Sequence, residues 1–419
     1  MFGWEFPPHI SGGLGTACLG LTTAMANEAI NILFVVPKVF GDEPIGKSSL
    51  IGASDISIST KSEYYCHYEQ NIRTIAVNSL LSPYLSALSY QQKYDNEITN
   101  SVNTVHVKFN FSGTYGESLL EEVERYALVA TKISRTAEFD IIHCHDWLTY
   151  KAGIAASAIS GKPLVIHVHA TEFDRSGENV NQHVYAIEKA GMEAANCVIT
   201  VSDFTASIVH ERYGVPKNKI RTVHNGVDFK ARKANNENID PVKEHFITFL
   251  GRITSQKGPS YFIDAASKIL EKDKSFRFVM AGSGDLLESI IQKVNDLDLS
   301  SFFLFPGFVK GDEVQKVYAQ SDVFVMPSVS EPFGIVPLEA MKQGVPVVIS
   351  KQSGVSEVIK HAIKVDFWDV DALADAIYGL IKYPGVSKVM KGNAVEEVDT
   401  ISWKKAAKKV KIVYELLIR

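Results

Sequence analysis

Cysteine is scarce in this chain, which has four cysteines among 419 residues. Cys18, Cys66, Cys144 and Cys197 are widely spaced and form no C-x-x-C pair. This pattern argues against a disulfide framework, and it is typical of reduced, packed thiols in a cytoplasmic protein.

An excess of positive charge and long apolar runs are also absent. Lys and Arg total 43 against 48 Asp and Glu, which gives a formal net charge of −5 and argues against a general nucleic-acid binder. No apolar run is long enough to span a bilayer. The amino terminus carries Pro7 and Pro8 but no basic stretch, so we predict no signal peptide and a cytoplasmic location.

The length and the order of apolar segments predict two α/β domains. A chain of 419 residues exceeds one ordinary core and suits two domains of roughly 200 residues each. Short apolar strands alternate with helical stretches in both halves, which predicts doubly wound parallel sheets. The strands are predicted at 1–6, 33–36, 140–142, 164–166 and 197–201, and then at 246–250, 276–281, 302–305, 323–326 and 345–349.

A change in composition separates the two halves. Lys, Arg, Asn and Glu dominate residues 229–245, where apolar residues are few. We therefore predict a first domain at 1–228, a linker at 229–245 and a second domain at 246–400. Residues 44–116 are less regular, and their composition is compatible with a β-hairpin or an excursion over the cleft.

The segment 401–419 carries an apolar stripe. Trp403, Ala407, Val410 and Tyr414 recur at helical spacing. We predict a helix that docks this stripe on the body of the protein and leaves its lysines in water. Contact of a basic amphipathic helix with an anionic membrane surface is the less favoured alternative.

Two glutamates follow a predicted buried strand of the second half. The apolar run 323–326 predicts the strand, and 335–343 predicts a short helix. Glu331 is therefore expected in the loop at the carboxyl end of the strand, and Glu339 on the helix. Ligands bind at that edge of an open α/β sheet, where two carboxylates could grip the hydroxyls of a sugar and a ribose. Solvated surface glutamates fit the pattern equally well.

Two cations follow another strand of the same half. Arg252 and Lys257 lie five positions apart, and Gly258-Pro259 breaks the chain before the next predicted helix. At the carboxyl end of a strand such cations can neutralise a diphosphate, Arg bidentately and Lys as a point charge. A cation pair and a carboxylate pair in one α/β half are much less expected by chance than either pair alone.

Together these patterns resemble the retaining glycosyltransferases of the GT-B fold, the group that contains glycosyltransferase family four and the glycogen and starch synthases. The matching segments follow the family's order over almost the whole chain. They are 4–8 with 12–15, 143–147, 167–169, 224–228, 252–257, 281–285 and the glutamate pair. The resemblance implies two Rossmann-like domains that face each other across a cleft, with the last helix crossing back to the first domain.

The resemblance also implies roles for site residues. Arg252 and Lys257 would stabilise the charge of a leaving diphosphate. Glu331 would bind donor-sugar hydroxyls, and Glu339 the ribose. His169 would lie beside the anomeric carbon. The other implied residues are Gly12, Gly13, Gly334 and Ile335 on the donor side and Glu5 and Asp146 on the acceptor side.

The partners implied are a nucleotide diphosphate sugar as the donor substrate and a saccharide acceptor, either an α-glucan or another glycan. No cofactor and no metal are expected, because fixed cations can stabilise the leaving group. No carboxylate is a clear nucleophile for a double displacement, so the resemblance implies a front-face substitution. Ile10, where glycogen synthases usually carry Lys, and the presence of Glu339 favour family four over a glycogen synthase proper.

Functions of other classes remain open from the sequence. The pairs His143/His145 and His167/His169 could ligate zinc, as in metal-dependent hydrolases. A nucleotide-sugar epimerase of the same fold would need no acceptor site. A non-catalytic sugar-nucleotide binder is disfavoured by the intact set of cations and glutamates.

Overall fold

The computed structural model describes residues 1–9, 13–44, 46, 48–61, 104–116, 118–227 and 244–418. Strands and helices alternate in both halves and build two α/β domains. The strands are β1 (Leu33–Val36), β2 (Ser49–Gly52), β3 (Ser57–Lys61), β4 (Thr104–Lys108), β5 (Ile142–His145), β6 (Leu164–Val168), β7 (Cys197–Thr200), β8 (Ile220–Thr222), β9 (His245–Leu250), β10 (Phe276–Ala281), β11 (Phe303–Gly307), β12 (Val323–Met326), β13 (Val347–Ser350) and β14 (Ile363–Val365). The α-helices are Gly13–Asn27, Leu119–Thr136, Trp147–Ser160, Glu172–Ser176, Gln182–Ala194, Asp203–Tyr213, Pro259–Lys272, Leu287–Asp296, Asp312–Gln320, Val336–Lys342, Val370–Lys382, Pro384–Asp399 and Trp403–Ile418.

The first domain holds a parallel sheet in which β5, β6, β7 and β8 lie side by side and β1 pairs with β2. Phe2 joins the two groups, because it bridges Val35 of β1 and Cys144 of β5. The predicted strand at 1–6 was too long. After Phe2 the chain turns at Pro7 and Pro8, and Phe6 pairs back with His9.

Two strands of the first domain extend into histidines. The strand predicted at 140–142 lies instead at Ile142–His145, and β6 continues past the predicted end to Val168. The imidazoles of these strands are buried and hydrogen-bond to other imidazoles. A strand prediction that relies on runs of apolar residues stops at such polar residues, even where they are buried.

The sheet of the second domain has the order β11-β10-β9-β12-β13-β14, with every pair parallel. Counted within the domain, this is the 3-2-1-4-5-6 order of a doubly wound fold. The order reverses between β9 and β12, and ligands bind outside the carboxyl ends of the strands at such a switch point. The loops that follow these two strands carry Arg252, Lys257 and Glu331.

The last helix, Trp403–Ile418, packs on the first domain as predicted. Trp403, Val410 and Tyr414 share one buried apolar cluster with Leu21 and Met25 of the first helix. At Gly20 of that helix a Cβ atom would come within 2.3 Å of the Trp403 ring. The packing of the last helix on the first domain therefore depends on the close contact of the Trp403 ring with Gly20, which has no side chain.

Residues 44–116 contribute two kinds of strand pairing. β2 extends the parallel sheet, whereas β3 and β4 pair with each other in antiparallel fashion. Most of the predicted linker coincides with residues 228–243, which lie outside the described ranges. Among the described residues, no helix is both long and apolar enough to cross a membrane.

Candidate active site

The loops after β9 and β12 meet at the switch point of the second domain. Lys257 donates a hydrogen bond to Oε2 of Glu331 and forms an ion pair with it. Arg252 is exposed, and its guanidinium lies 3.5 Å from Oε1 of Gln256. The backbone carbonyl of Gln256 accepts from the amide of Val329 at 2.9 Å. The predicted cations and the first glutamate are thus held in one compact unit.

Glycine at position 258 permits this close approach. Gly258 has a φ of +66°, and a Cβ atom there would come within 2.1 Å of the Pro327 carbonyl oxygen. A side chain would therefore be strained by the backbone angle and would push the two loops apart. Helix Pro259–Lys272 starts at the next residue.

The loop after β13 supports Glu331 from the other side. The Glu331 amide donates to the Gln352 carbonyl at 3.0 Å, and the Gly354 amide donates to the Glu331 carbonyl at 2.9 Å. Gly334, between the two glutamates, has a φ of +96°. The turn at Gly334 delivers the chain to Ile335, directly before helix Val336–Lys342.

Glu339 lies on helix Val336–Lys342, as predicted. Its carboxylate accepts a hydrogen bond from the Tyr318 hydroxyl at 3.0 Å. Burial raises the pKa of Glu339, and the Tyr318 hydrogen bond opposes that effect. Tyr318 was not singled out from the sequence, because it lies on a different helix, Asp312–Gln320.

The histidines of the first domain form two hydrogen-bonded pairs. His145 and His169 are joined at 3.0 Å, and His143 and His167 at 3.1 Å. The alternation of β6 places His167 and His169 on one face, and their rings stack with centroids 4.3 Å apart. His143 also meets the hydroxyl of Tyr414 at 2.6 Å. The imidazoles therefore connect the last helix with the carboxyl edge of the sheet.

Asp146 holds the backbone beside His169. Its Oδ1 accepts from the amide of His169 at 2.7 Å and from that of Ala170 at 3.3 Å. Burial raises the pKa of Asp146 to about 7, although these amides and Arg175 favour the charged form. The residue precedes helix Trp147–Ser160, but its side chain makes no capping hydrogen bond there. The Asp146 side chain therefore binds the loop after β6 and does not cap this helix.

Glu5 has a partner that sequence inspection missed. The Tyr115 hydroxyl donates to Oε1 of Glu5. Partial burial and the carboxylates of Glu5 and Asp146 raise the pKa of Tyr115, and the Arg252 guanidinium opposes them. Charged side chains of both domains therefore influence the pKa of this hydroxyl. Glu5 and Tyr115 are 110 residues apart along the chain, so their contact could not be read from local sequence.

Hydrogen bonds also join the two domains directly at this edge. Ser330 donates to Oδ1 of Asp174 at 2.5 Å, and Ser202 donates to the Pro332 carbonyl at 2.5 Å. Asp174 lies on the short helix Glu172–Ser176, directly downstream of the His169 loop. The segment with the first glutamate is therefore anchored on the domain that carries His169.

The glycine-rich turn is described only in part. Gly12 lies outside the described residues, so its predicted contact with the donor stays a prediction. Gly13 is the first residue of helix Gly13–Asn27 and is exposed. A Cβ atom there would meet nothing within 4 Å, which leaves space beside the helix start.

The buried histidines should make the protein sensitive to acid. Burial lowers the pKa of His169 to about 3 and holds those of His143, His145 and His167 well below their usual range. Unfolded histidines protonate near pH 6.5. Between about pH 3 and about pH 6.5 the unfolded state therefore binds more protons at His169, and this group lowers the stability by about 1.4 kcal/mol for each unit that the pH falls. The other three histidines act in the same direction, because their pKa values also lie below that of an unfolded histidine.

The free energy of unfolding in urea, measured between about pH 7.5 and about pH 5.5, tests this expectation. Asp146 has the opposite effect on stability. Its pKa is raised to about 7 in the folded protein, so between about pH 7 and about pH 4 the folded state binds a proton that the unfolded state does not. Asp146→Asn removes that opposition and should steepen the loss of stability. A free energy that is level over this range contradicts the assignment of neutral, buried imidazoles.

Comparison with known proteins identifies the family. The model of Glycosyltransferase Family 4 matches residues 11–231, more than half of the chain. The chain belongs to glycosyltransferase family 4. The model described as Glycosyl transferases group 1 matches residues 230–397 of this glycosyltransferase.

Relatives of this glycosyltransferase extend over most of its length. An uncharacterized glycosyltransferase of Methanocaldococcus jannaschii is 29% identical, with 99% of this chain and 97% of the relative covered. A glycogen synthase of Mycobacterium tuberculosis is 24% identical, with 93% and 87% covered.

Solved structures agree on the fold. Sucrose-phosphate synthase from Thermosynechococcus elongatus superposes with a TM-score of 0.69 at 20% identity, over 97% of this chain and 94% of the other. HepE from Anabaena, solved in complex with UDP and glucose, gives 0.66 at 18% identity, over 99% and 98%. The two-domain GT-B architecture predicted from the sequence is confirmed.

Proposed function

We propose that this glycosyltransferase moves a hexose, with glucose as the first candidate, from a nucleotide diphosphate sugar to a saccharide acceptor with retention of configuration. The observation that carries the proposal is the ion pair of Lys257 with Glu331 at the switch point of the second domain, with Arg252 in the same loop as Lys257. These two cations and a carboxylate that could bind hydroxyls lie at the carboxyl ends of the strands, where doubly wound sheets bind their ligands.

The proposed chemistry places positive charge where negative charge develops. Departure of the nucleoside diphosphate builds charge on the phosphate oxygens, and Arg252 and Lys257 would stabilise it without rearrangement of solvent. Glu331 would hold the sugar hydroxyls beside them. His169 would contact the sugar from the opposite domain, and the acceptor hydroxyl would attack from the face that the phosphate leaves.

The acceptor is proposed to enter beside Glu5. The Glu5 carboxylate is held by the Tyr115 hydroxyl, and the charges of Asp146 and Arg252 both act on that hydroxyl. A saccharide hydroxyl placed there would lie between the two domains. Among the relatives and neighbours, a glycogen synthase and the HepE complex with UDP and glucose support a nucleotide-bound glucose as the first donor to test.

A zinc hydrolase is the rival from another class. Ring nitrogens of His143, His145 and His167 lie within 4.8 Å of one another. However, His145 and His143 each face another imidazole at hydrogen-bond distance, 3.0 and 3.1 Å. Both ring nitrogens of His143 are engaged, one with the Tyr414 hydroxyl and the other with His167. This imidazole would have to lose a partner to bind a metal, which favours the transferase.

Nucleotide release from ADP-, UDP- and GDP-hexoses, with and without maltooligosaccharide and in the presence of chelator, tests the proposal. We expect turnover of one donor in chelator, with the product sugar in the anomeric configuration of the donor by NMR. Stimulation by maltooligosaccharide would identify an α-glucan synthase. Activity lost to chelator, together with one equivalent of bound zinc, would favour the hydrolase instead.

Glu339→Ala should weaken nucleotide binding by about ten- to a hundredfold, because a hydrogen bond to a charged group contributes about 1.5–3 kcal/mol. Titration calorimetry with the nucleotide of the active donor measures this. Glu313→Ala is the matched control, since Glu313 is an exposed glutamate on the neighbouring helix Asp312–Gln320. Unchanged affinity in Glu339→Ala contradicts the ribose role.

A further inference from the structure

His145 contacts His169 from the interior of the first domain. Its Nδ1 lies 3.0 Å from Nε2 of His169, and its own Nε2 is buried without a partner among the described residues. His145 is fully buried on β5, whereas His169 is partly exposed after β6. Any effect of His145 on a substrate must therefore pass through His169.

One proton must lie between the two rings. Burial lowers the pKa of both His145 and His169, so both imidazoles are neutral near pH 7. If His169 donated to His145, then His145 would carry its own proton on Nε2, where it has no acceptor. Buried donors without an acceptor are rare and costly. If His145 donates from Nδ1 instead, its Nε2 is a bare nitrogen.

The lack of a partner at Nε2 favours the second arrangement. Nε2 of His145 has no hydrogen-bond partner among the described residues. A buried N–H group without an acceptor is rarer in proteins than a buried acceptor that lacks a donor. A bare Nε2 and a proton on Nδ1 therefore fit this site better than a proton on Nε2.

We propose that His145 is a positioning residue that holds His169 in the tautomer protonated at Nδ1, so that His169 offers a hydrogen-bond donor to an oxygen of the donor sugar. The inference rests on the proposed place of His169 beside the sugar. Asp146 completes the arrangement, because it fixes the backbone amide of His169 at 2.7 Å. Ring and backbone are thus held from two sides.

Nitrogen NMR of the histidine-labelled protein tests the tautomer in the free enzyme, with His169→Asn identifying the His169 signals. We expect a pyrrole-type Nδ1 and a pyridine-type Nε2 in His169 of the wild type. His145→Leu should shift His169 towards the tautomer protonated at Nε2, which prevails in water. A wild-type His169 protonated at Nε2 overturns the inference, whatever the activity.

Kinetics of matched variants separate positioning from packing. His145→Leu should lower kcat/KM about tenfold, the loss of one hydrogen bond. His145→Asn, which can place an amide N–H near the Nδ1 position, should recover most of that loss. His143→Leu is the control, because it removes an equally buried imidazole from the other pair and should leave the His169 tautomer unchanged. Equal effects of the His143 and His145 leucine variants on the tautomer and on kcat/KM contradict the inference.

The tautomer and the proposed function can fail separately. A wild-type His169 that is protonated at Nδ1, in a protein that turns over no nucleotide sugar, supports the tautomer and contradicts only the proposed function.

Discussion

Arg252→Ala and Lys257→Ala are each expected to lower kcat by about a hundredfold or more. Removal of a single preorganised group that stabilises charge in a transition state costs about 2.7–4 kcal/mol. Both side chains lie after β9 at the switch point, and Lys257 is already held by Glu331. The measurement is nucleotide release at saturating donor, with the donor's KM determined for each variant.

The two variants should differ in stability. Arg252 is exposed, so its loss should leave the free energy of unfolding within about 0.5 kcal/mol. Lys257→Ala leaves the buried Glu331 carboxylate without its ion pair, which destabilises the protein as well. Lys268→Ala is the control, because Lys268 pairs with Asp371 on the surface. Full turnover in Arg252→Ala would contradict its proposed role on the leaving group.

Trp403→Ala is expected to lower the free energy of unfolding by about 3–5 kcal/mol, the usual cost of truncating a buried large aromatic. Trp403 is 4% exposed and seats against Gly20 of the first helix and Gly226. Its loss removes the anchor with which the last helix holds the first domain. Urea unfolding, followed by fluorescence and circular dichroism, measures the effect.

Trp368→Ala is the matched control for this experiment. Trp368 is 58% exposed, so its truncation should change stability by less than about 0.5 kcal/mol. Loss of the Trp403 anchor should also separate the unfolding transitions of the two domains, because the crossing helix couples them. Equal stability of the two variants would contradict the view that this helix ties the domains together.

Part of the candidate site could be predicted from the sequence because it depends on local order. Glu331 follows β12 and Glu339 lies on the next helix, as the apolar run and the turn between them indicated. The loop with Arg252 and Lys257 follows β9 for the same reason. Parallel strands place their carboxyl ends at one edge, so a residue's place after its strand suffices to locate it.

Contacts between distant segments could not be predicted in this way. Tyr115 reaches Glu5, Ser330 reaches Asp174 and Tyr318 reaches Glu339, each across a different element. The two strands that carry histidines were predicted to end too early, since their imidazoles are buried by pairing with each other rather than by being apolar. Pairwise satisfaction of polar groups is a property of the folded chain.

The sequence by itself determined the two-domain α/β class, the places of Arg252, Lys257 and Glu331 after their strands, and the apolar stripe of the last helix. These features follow from periodicity, from turn residues and from the shared edge of parallel strands. Only the tertiary structure decided which side chains face one another, such as Lys257 with Glu331 and Asp146 with the His169 amide. Those partners lie 74 and 23 residues apart along the chain, and only the packing of whole elements brings their polar groups within hydrogen-bond distance.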